Sequence, residues 1–150
     1  MIQTLMSSVK SILIRPGKKA DPLHVTSINI TQKGIEGDHY NKEDGKRQVT
    51  LIGADGLAEM AALVGFPGDA HLACRRNILI EKLPEGDLKG KQVGLGDKVI
   101  LEITGYCHPC FRMDENFGEG AIAAFDKRAG WTARVIEGGH VGIGDPFFLK

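Results

Sequence analysis

The sequence predicts a mainly β fold with one or two short helices (an α+β class), arranged as a β-barrel or a curled sheet. Its 150 residues match the usual size of one domain, so we expect a single domain over residues 1–150. Glycine is the unusual component, at 20 residues or about twice its typical ~7% share. Because these glycines separate short apolar runs, they predict tight turns between short strands. The elements do not alternate strand–helix–strand, which argues against a doubly wound sheet.

The predicted strands are short runs in which apolar side chains alternate with polar ones or form a buried stretch. They cover Ser8–Arg15, His24–Thr31, Gln48–Ile52, Asn77–Glu81, Lys98–Thr104, Trp131–Glu137 and Pro146–Leu149. A charged, glycine-punctuated loop over Lys33–Gly45 separates the second strand from the third. Loops of this length in a compact domain are usually functional or mobile.

One helix is predicted over Ala54–Val64, because its apolar residues recur at the i, i+3, i+4, i+7 spacing of a single helical face. Asp55 lies in its first turn, and Gly65 follows its last residue, as is typical of helix ends. A second, shorter helix is predicted over Ala121–Lys127. Between the strand ending at Thr104 and this helix, the sequence predicts a loop.

Composition excludes several classes of function. The 19 basic and 19 acidic residues balance, whereas a general nucleic-acid binder would show a basic excess. No apolar run is long enough for a membrane span, and the first residues lack a signal-peptide pattern. Three cysteines are too few for a disulfide framework, so we expect a reducing, cytoplasmic location. Oligomeric state is not predicted.

The densest chemistry lies in the segment Cys107–Arg112, which reads CHPCFR. Cys110 is flanked two residues away by His108 and Arg112, and nearby positive charge favours the reactive thiolate form of cysteine. Three kinds of site compete: a thioredoxin-like dithiol, a structural zinc site, and a single sulfur that binds a soft metal or carries sulfur. A cysteine can also be only a small buried apolar residue.

The first two kinds of site are poorly supported. A thioredoxin-like pair needs a helix directly after it, but the segment that follows, Met113–Gly120, is polar and broken by glycine. A structural zinc site needs four ligands, and beyond the pair the chain offers Cys74 and scattered histidines. The single reactive sulfur therefore remains the favoured hypothesis.

Two further clusters could bind an anion, although each could equally be solvated surface. Arg75, Arg76 and Asn77 precede a predicted strand, where arginine can bind phosphate or carboxylate. If both arginines belong to the strand they point to opposite faces, so at most one faces a given ligand. The second cluster joins Gly37-Asp38-His39 to Lys46-Arg47, because glycine lets backbone amides approach an anion closely.

Taken in order, these segments resemble a known family. The chain reads GIEGDHY, KRQVTLI, RRNILIE, VGLGDKVILEITGYCHPC and RVIEGGHVGIGDPFFL. This series resembles the MOSC domain, named after the C-terminal part of molybdenum cofactor sulfurases, from about Lys10 to Lys150. The resemblance implies a MOSC-type, mostly antiparallel β-barrel. It also implies that Cys110 is the functional sulfur, since the matching cysteine ligates molybdenum in amidoxime-reducing relatives and is proposed to carry a persulfide in the sulfurases.

The resemblance also assigns cofactor-binding residues. Arg75, Arg76 and Asn77 match the arginine-bearing segment of the family and are candidates for holding the phosphate or ring edge of the molybdenum cofactor (molybdopterin). Asp38, His39 and Arg47 match the family's glycine–aspartate loop and the basic strand that follows it. Cys107 matches a less constant position.

Larger relatives carry a further β-barrel domain or a cysteine desulfurase domain, for which this chain has no room. We therefore expect no pyridoxal-phosphate site, and any persulfide or electron would come from a partner, a cysteine desulfurase or an external electron donor. Three functions are open: binding of molybdenum cofactor or sulfur carriage on Cys110 for cofactor sulfuration, reduction of N-hydroxylated compounds, and a non-catalytic scaffold that binds a partner.

Overall fold

The computed structural model describes residues 6–107, 115–118, 120 and 129–150. Strands dominate these residues, which confirms the predicted mainly β class. The strands are β1 Met6–Ile14, β2 Leu23–Val25, β3 Ser27–Thr31, β4 Gly34–Ile35, β5 Val49–Gly53, β6 Ile78–Ile80, β7 Gln92–Leu95, β8 Val99–Tyr106, β9 Trp131–Glu137, β10 Gly139–Gly142 and β11 Pro146–Leu149. The helices α1 and α2 cover Ala54–Val64 and Ala70–Cys74.

Seven of the described strands close into a barrel. Their hydrogen-bonded order is β11-β7-β8-β9-β5-β6-β1, and a further pairing of β1 with β11 completes the circle. Strands β5 and β6 run parallel, while the other pairs round the barrel are antiparallel. The short strand β2 lies outside the circle and pairs with the end of β1. Strands β10, β3 and β4 form a second, small sheet.

Two apolar clusters hold these layers together. The larger cluster fills the barrel with side chains from its strands, among them Ile12, Leu51 and Phe147, each of which is almost completely buried. The smaller cluster lies outside the barrel, where α1 packs Leu57 and Met60 against β5 and Cys74 of α2. Burial of side chains of this size contributes ~1.5–3 kcal/mol each. The second cluster fixes α2 beside the wall formed by β5.

Several elements differ from the sequence prediction. The predicted strand His24–Thr31 is two strands in two different sheets, β2 with β1 and β3 with β10. Its alternation of polar and apolar residues continues through both strands, so the sequence does not show where the pairing partner changes. Strands β4, β7 and β10 and helix α2 were not predicted. The predicted helix Ala121–Lys127 lies outside the described residues.

Candidate functional site

A basic pocket opens where β8 ends. Its volume is ≈ 480 Å³, and its lining residues come from four parts of the chain: Lys46, Arg47, Lys89, Thr104, Gly105, Tyr106, Cys107 and Thr132. Three of these residues are cationic, and no carboxylate stands among the described lining residues. Cavities of this size hold cofactors or small ligands. The pocket therefore suits an anion.

A shallower depression of ≈ 280 Å³ continues the basic pocket along the same wall. It shares Lys46, Lys89 and Thr104 with the pocket and adds Glu102 and Arg134. Glu102 and Arg134 form an ion pair between neighbouring positions of β8 and β9. Because this pair neutralises itself, the excess positive charge stays with the two lysines and with Arg47.

Threonine hydroxyls fix the backbone of the pocket. Thr104 Oγ1 donates a hydrogen bond to the carbonyl oxygen of Lys46, which ties the loop before β5 to β8. Thr132 Oγ1 lies 2.7 Å from Thr104 Oγ1 and 3.2 Å from the carbonyl oxygen of Gly105. The register of β8 against β9 shifts between Ile103 and Gly105, and such bulges redirect side chains beside functional sites. The bulge brings Thr104 and Thr132 together at the pocket wall.

Tyr106, which lines the pocket, belongs to an aromatic pair. Tyr106 stacks on Trp131 with their ring centroids 4.2 Å apart and their planes 24° from parallel. Trp131 is buried, whereas Tyr106 is 37% exposed. Stacked aromatic pairs resist displacement because they add ~0.5–1.5 kcal/mol to the energy of burial. The stack on Trp131 therefore restricts the movement of the Tyr106 ring at the pocket.

Cys107 directly follows β8 and is the last described residue before Cys110. Its side chain is buried, and its backbone N–H donates to the carbonyl oxygen of Gly130 at 2.9 Å. Gly130 has a φ of +96°, and a Cβ there would lie 2.2 Å from the carbonyl oxygen of Leu51. Only glycine allows this approach. Cys110 itself, with the other predicted residues of its segment, lies outside the described residues.

The side chain of Arg76 supports the backbone near the end of β8. Its side chain is buried beneath the surface, where Nε donates to the carbonyl oxygen of Ala129 at 2.7 Å and Nη1 donates to that of Cys74 at 3.4 Å. Burial raises the pKa of the Cys74 thiol to about 11, and the neighbouring Arg76 charge only partly opposes this effect. Cys74 is therefore a thiol at neutral pH, and Arg76 connects α2 to the residues just before β9.

Asp38 and Asn77 belong to a buried polar network beside strands β5 and β6. Arg15 contacts Asp38 twice through its side chain, at 3.0 Å and 3.1 Å, and Asn77 Nδ2 donates to Asp38 Oδ1 at 3.0 Å. Asn77 Oδ1 accepts from both the backbone and the hydroxyl of Thr50. Burial would raise the pKa of Asp38, but the hydrogen bonds and charge of Arg15 outweigh it and hold the pKa below its usual value.

Arg75 and His39 lie near the turn after β1. Arg75 is the left-handed C-cap of α2, with a φ of +61°, so the two adjacent arginines do not alternate across a strand. Its Nη1 donates to the carbonyl oxygen of Ala20 at 2.7 Å, and its Nη2 donates to that of Lys18 at 3.2 Å. The backbone N–H of His39 donates to the carbonyl oxygen of Arg15 at 2.7 Å.

The structure thus divides the predicted site residues into three places. Arg47 lines the basic pocket, and Arg76 braces the strand end beside it. Asp38 and Asn77 contact each other in the interior, and Arg75 and His39 border the turn after β1. The roles of these residues toward a cofactor stay predictions.

The basic pocket also contains residues that the sequence analysis did not assign. Lys46 is not one of them, because the second predicted anion-binding cluster already pairs it with Arg47. Lys89, Thr104 and Thr132 carry no local signal, because only the closed barrel brings them together.

The described residues hold neither a cluster of metal ligands nor a membrane-spanning helix. No cluster of three or more histidine, cysteine or acidic side chains in that part of the chain is arranged to hold a metal ion. No helix there is both long enough and apolar enough to cross a membrane.

The fold and the site lead to the family. The family model for the MOSC domain matches residues 24–147, and the chain therefore belongs to the MOSC domain family. The barrel superimposes on the YuaD protein of Bacillus subtilis with a TM-score of 0.84, 17% identity, and coverage of 99% of this chain and 98% of that one. YiiM of Escherichia coli gives a TM-score of 0.69 at 19% identity, over 97% of this chain and 70% of YiiM. These likenesses confirm the MOSC-type barrel.

A curated relative shares a shorter segment. A protein named "Reductase" from Gibberella moniliformis (strain M3125 / FGSC 7600) is 38% identical over 58 residues, which make up 37% of this chain. The match spans 10% of the length of that relative. The name therefore describes a much larger protein.

Proposed function

We propose that this MOSC protein is linked to the molybdenum cofactor through two neighbouring groups. The basic pocket holds the anionic end of the cofactor, and Cys110 supplies the thiolate that binds the metal. The observation that carries this proposal is the convergence of Lys46, Arg47 and Lys89 in one cavity that Cys107 also lines. Charge-assisted hydrogen bonds from such side chains to phosphate are among the strongest in proteins.

The donor set of the pocket supports a phosphate rather than a bare metal ion. Ammonium and guanidinium groups donate hydrogen bonds and repel cations, and Thr132 adds a hydroxyl to the same wall. Soft, thiophilic metals instead require a thiolate. Because three residues span at most about 11 Å, the chain keeps Cys110 within reach of a cofactor whose phosphate lies beside Cys107. When bound, the cofactor would supply two-electron redox chemistry at its metal.

Other residues of the chain position this site. Arg76 holds the carbonyl oxygen of Ala129, Gly130 accepts from the backbone of Cys107, and the Tyr106–Trp131 stack limits the pocket on one side. Together they set the direction in which the chain leaves β8 toward Cys110. Cys74 does not compete for the metal, because burial keeps it as a thiol.

The reaction that we propose is reduction of N-hydroxylated compounds with an external electron donor. The name of the matched fungal relative, "Reductase", favours this direction. The other candidate is sulfur carriage as a persulfide on Cys110, with sulfur delivered by a cysteine desulfurase. Both use the same thiolate, so the decisive measurement is what Cys110 holds.

The test measures molybdenum per chain by elemental analysis after anaerobic expression in a host that makes the cofactor. We expect near-stoichiometric metal in the wild type and in Cys107→Ala, and loss of metal in Cys110→Ser. Intact-mass spectrometry on the same samples detects one added sulfur atom. An added sulfur on Cys110 without metal would replace the proposal by sulfur carriage. Neither metal nor added sulfur would overturn both and leave the scaffold hypothesis.

A further inference from the structure

A chain of polar contacts on the outside of the barrel has no part in the proposed function. His24 on β2 places Nε2 2.7 Å from Oδ2 of Asp69, the N-cap of α2, and Nδ1 3.2 Å from the hydroxyl of Ser11 on β1. The same hydroxyl lies 2.8 Å from Nδ1 of His71 on α2. His71 Nε2 then lies 2.7 Å from the carbonyl oxygen of Arg76. Four contacts thus join two strands and a helix.

The groups at the two ends of this series of contacts determine how many hydrogen-bonding protons the four contacts need. The Arg76 carbonyl can only accept, and the Asp69 carboxylate is ionised at neutral pH: burial opposes ionisation, but the Leu72 amide and His24 outweigh it and lower the pKa of Asp69. Four contacts need four protons, whereas the Ser11 hydroxyl and two neutral imidazoles supply three. The fourth contact is complete only when the cluster binds one more proton.

Burial decides which imidazole takes this proton. His71 is 4% exposed, and desolvation lowers its pKa to about 4. It therefore stays neutral, donates from Nε2 to the Arg76 carbonyl, and accepts from the Ser11 hydroxyl at Nδ1. His24 is 46% exposed at its side chain and faces the Asp69 carboxylate. Water and Asp69 can both stabilise a positive charge on His24.

We propose that the cluster is a proton-dependent clamp, in which one proton on His24 completes the contacts and fastens strand β2 to helix α2. Without that proton, the single hydroxyl proton of Ser11 serves only one imidazole. Ser11 donates this proton to His71. Leaving the buried nitrogen of His71 without a hydrogen bond costs more free energy than leaving the exposed nitrogen of His24 without one. The contact between His24 and Ser11 is then lost, while His24 can still donate to Asp69.

Strand β2 is the element that this clamp can release. It lies outside the closed barrel. Within the described residues β2 pairs with one strand only, β1, over Ile12–Ile14. Its three residues have no completely buried side chain. An edge of this kind opens at low cost in free energy. The clamp therefore adds to the pairing of β2 with β1 and to the packing of Val25 against the core.

The charged neighbours of the clamp come from the ends of α2, from the segment before β2 and from residues 115–118. Asp69 faces His24 and also acts on His71. Arg75, Asp21 and Glu115 line, with Asp69, a surface cavity of ≈ 450 Å³. Arg75 is engaged with the carbonyl oxygens of the turn after β1, so Asp69 is the charged group that touches His24. Its side chain is 49% exposed, and added salt should weaken its effect.

A double-mutant cycle tests the clamp. Ser11→Ala, His24→Gln and the double variant are unfolded with denaturant at about pH 5.5 and about pH 8.5, on either side of the ordinary histidine value. We expect a coupling of about fivefold in the unfolding constant at the lower pH, equivalent to the ~1 kcal/mol of one hydrogen bond. At the higher pH the coupling should vanish. Equal coupling at both pH values would overturn the clamp.

Imidazole nitrogen shifts in the labelled wild type give a readout that does not depend on stability. We expect His71 to be neutral with its proton on Nε2 at both pH values, and His24 to carry two N–H protons only at the lower one. A doubly protonated His71 at about pH 5.5, or an unchanged His24, would overturn the proposal. His140→Gln is the control, because this exposed histidine contacts Asn29 in the second sheet and should leave both readouts unchanged.

Discussion

The Arg15 guanidinium lies 3.0 Å from the Asp38 carboxylate, and the side chain of Asp38 is completely removed from solvent. The backbone N–H of Arg15 donates to the same carboxylate at 2.8 Å, and that of Tyr40 donates at 3.1 Å. With Asn77, these donors satisfy a charge that burial would otherwise make costly. The pair joins the end of β1 to the long charged loop.

Asp38→Asn should therefore destabilise the fold strongly. The amide removes the negative charge and turns one acceptor into a donor that faces the Arg15 donors. Breaking a buried ion pair in this way costs ~3–5 kcal/mol. Denaturant unfolding measures the loss, with the exposed Asp97→Asn as the matched control. A loss below ~1 kcal/mol would show that water reaches the pair and screens it.

The basic pocket predicts which exposed cations matter for cofactor binding. Arg47→Gln and Lys89→Gln each remove a charge-assisted donor from the cavity, whereas Lys19→Gln removes a charge from outside it. We expect about tenfold weaker cofactor binding for each pocket variant. This factor corresponds to the lower end of the range of free energies that a hydrogen bond to a charged group contributes. Molybdenum per chain under limiting cofactor measures the effect. Equal occupancy in all three variants would place the phosphate elsewhere.

Gly130 predicts a large effect of a single methyl group. Gly130→Ala combines the strain of a φ of +96° with a Cβ placed 2.2 Å from the Leu51 carbonyl oxygen. Gly86→Ala is the matched control, because its φ is +91° and nothing lies within 4 Å of its Cβ. We expect the control to lose ~1–2 kcal/mol and Gly130→Ala to lose clearly more. Equal losses in denaturant unfolding would mean that the backbone before β9 shifts easily.

The lowered pKa of His71 predicts how the stability of the fold changes at acidic pH. Burial lowers the pKa of His71 in the folded protein to about 4, from the usual histidine value of 6.5. Protonation therefore favours the unfolded chain, and the stability that neutral His71 contributes is complete above about pH 6.5 and lost as the pH falls toward about 4.

Between about pH 7.5 and pH 5 the loss should be about 2 kcal/mol. His71→Gln keeps a donor for the Arg76 carbonyl but removes the titrating group, so its stability should change less over this range. The same acid loss in His71→Gln and in wild type would assign the effect to other groups.

The sequence by itself determined the elements whose signals are local. The helix Ala54–Val64 and the strands Trp131–Glu137 and Pro146–Leu149 have the predicted bounds. Their side-chain period and the glycine after the helix are properties of neighbouring residues. The family resemblance could likewise be read from the order of the motifs.

The tertiary structure alone decided which residues share a site. Lys46, Lys89 and Thr132 meet only because β8 pairs with β9 and the barrel closes between β1 and β11. Asp38 and Asn77 looked available for a ligand, but their carboxylate and amide groups are buried and bonded to each other. Burial and strand pairing depend on residues that are far apart in the chain, so a local sequence pattern cannot predict them.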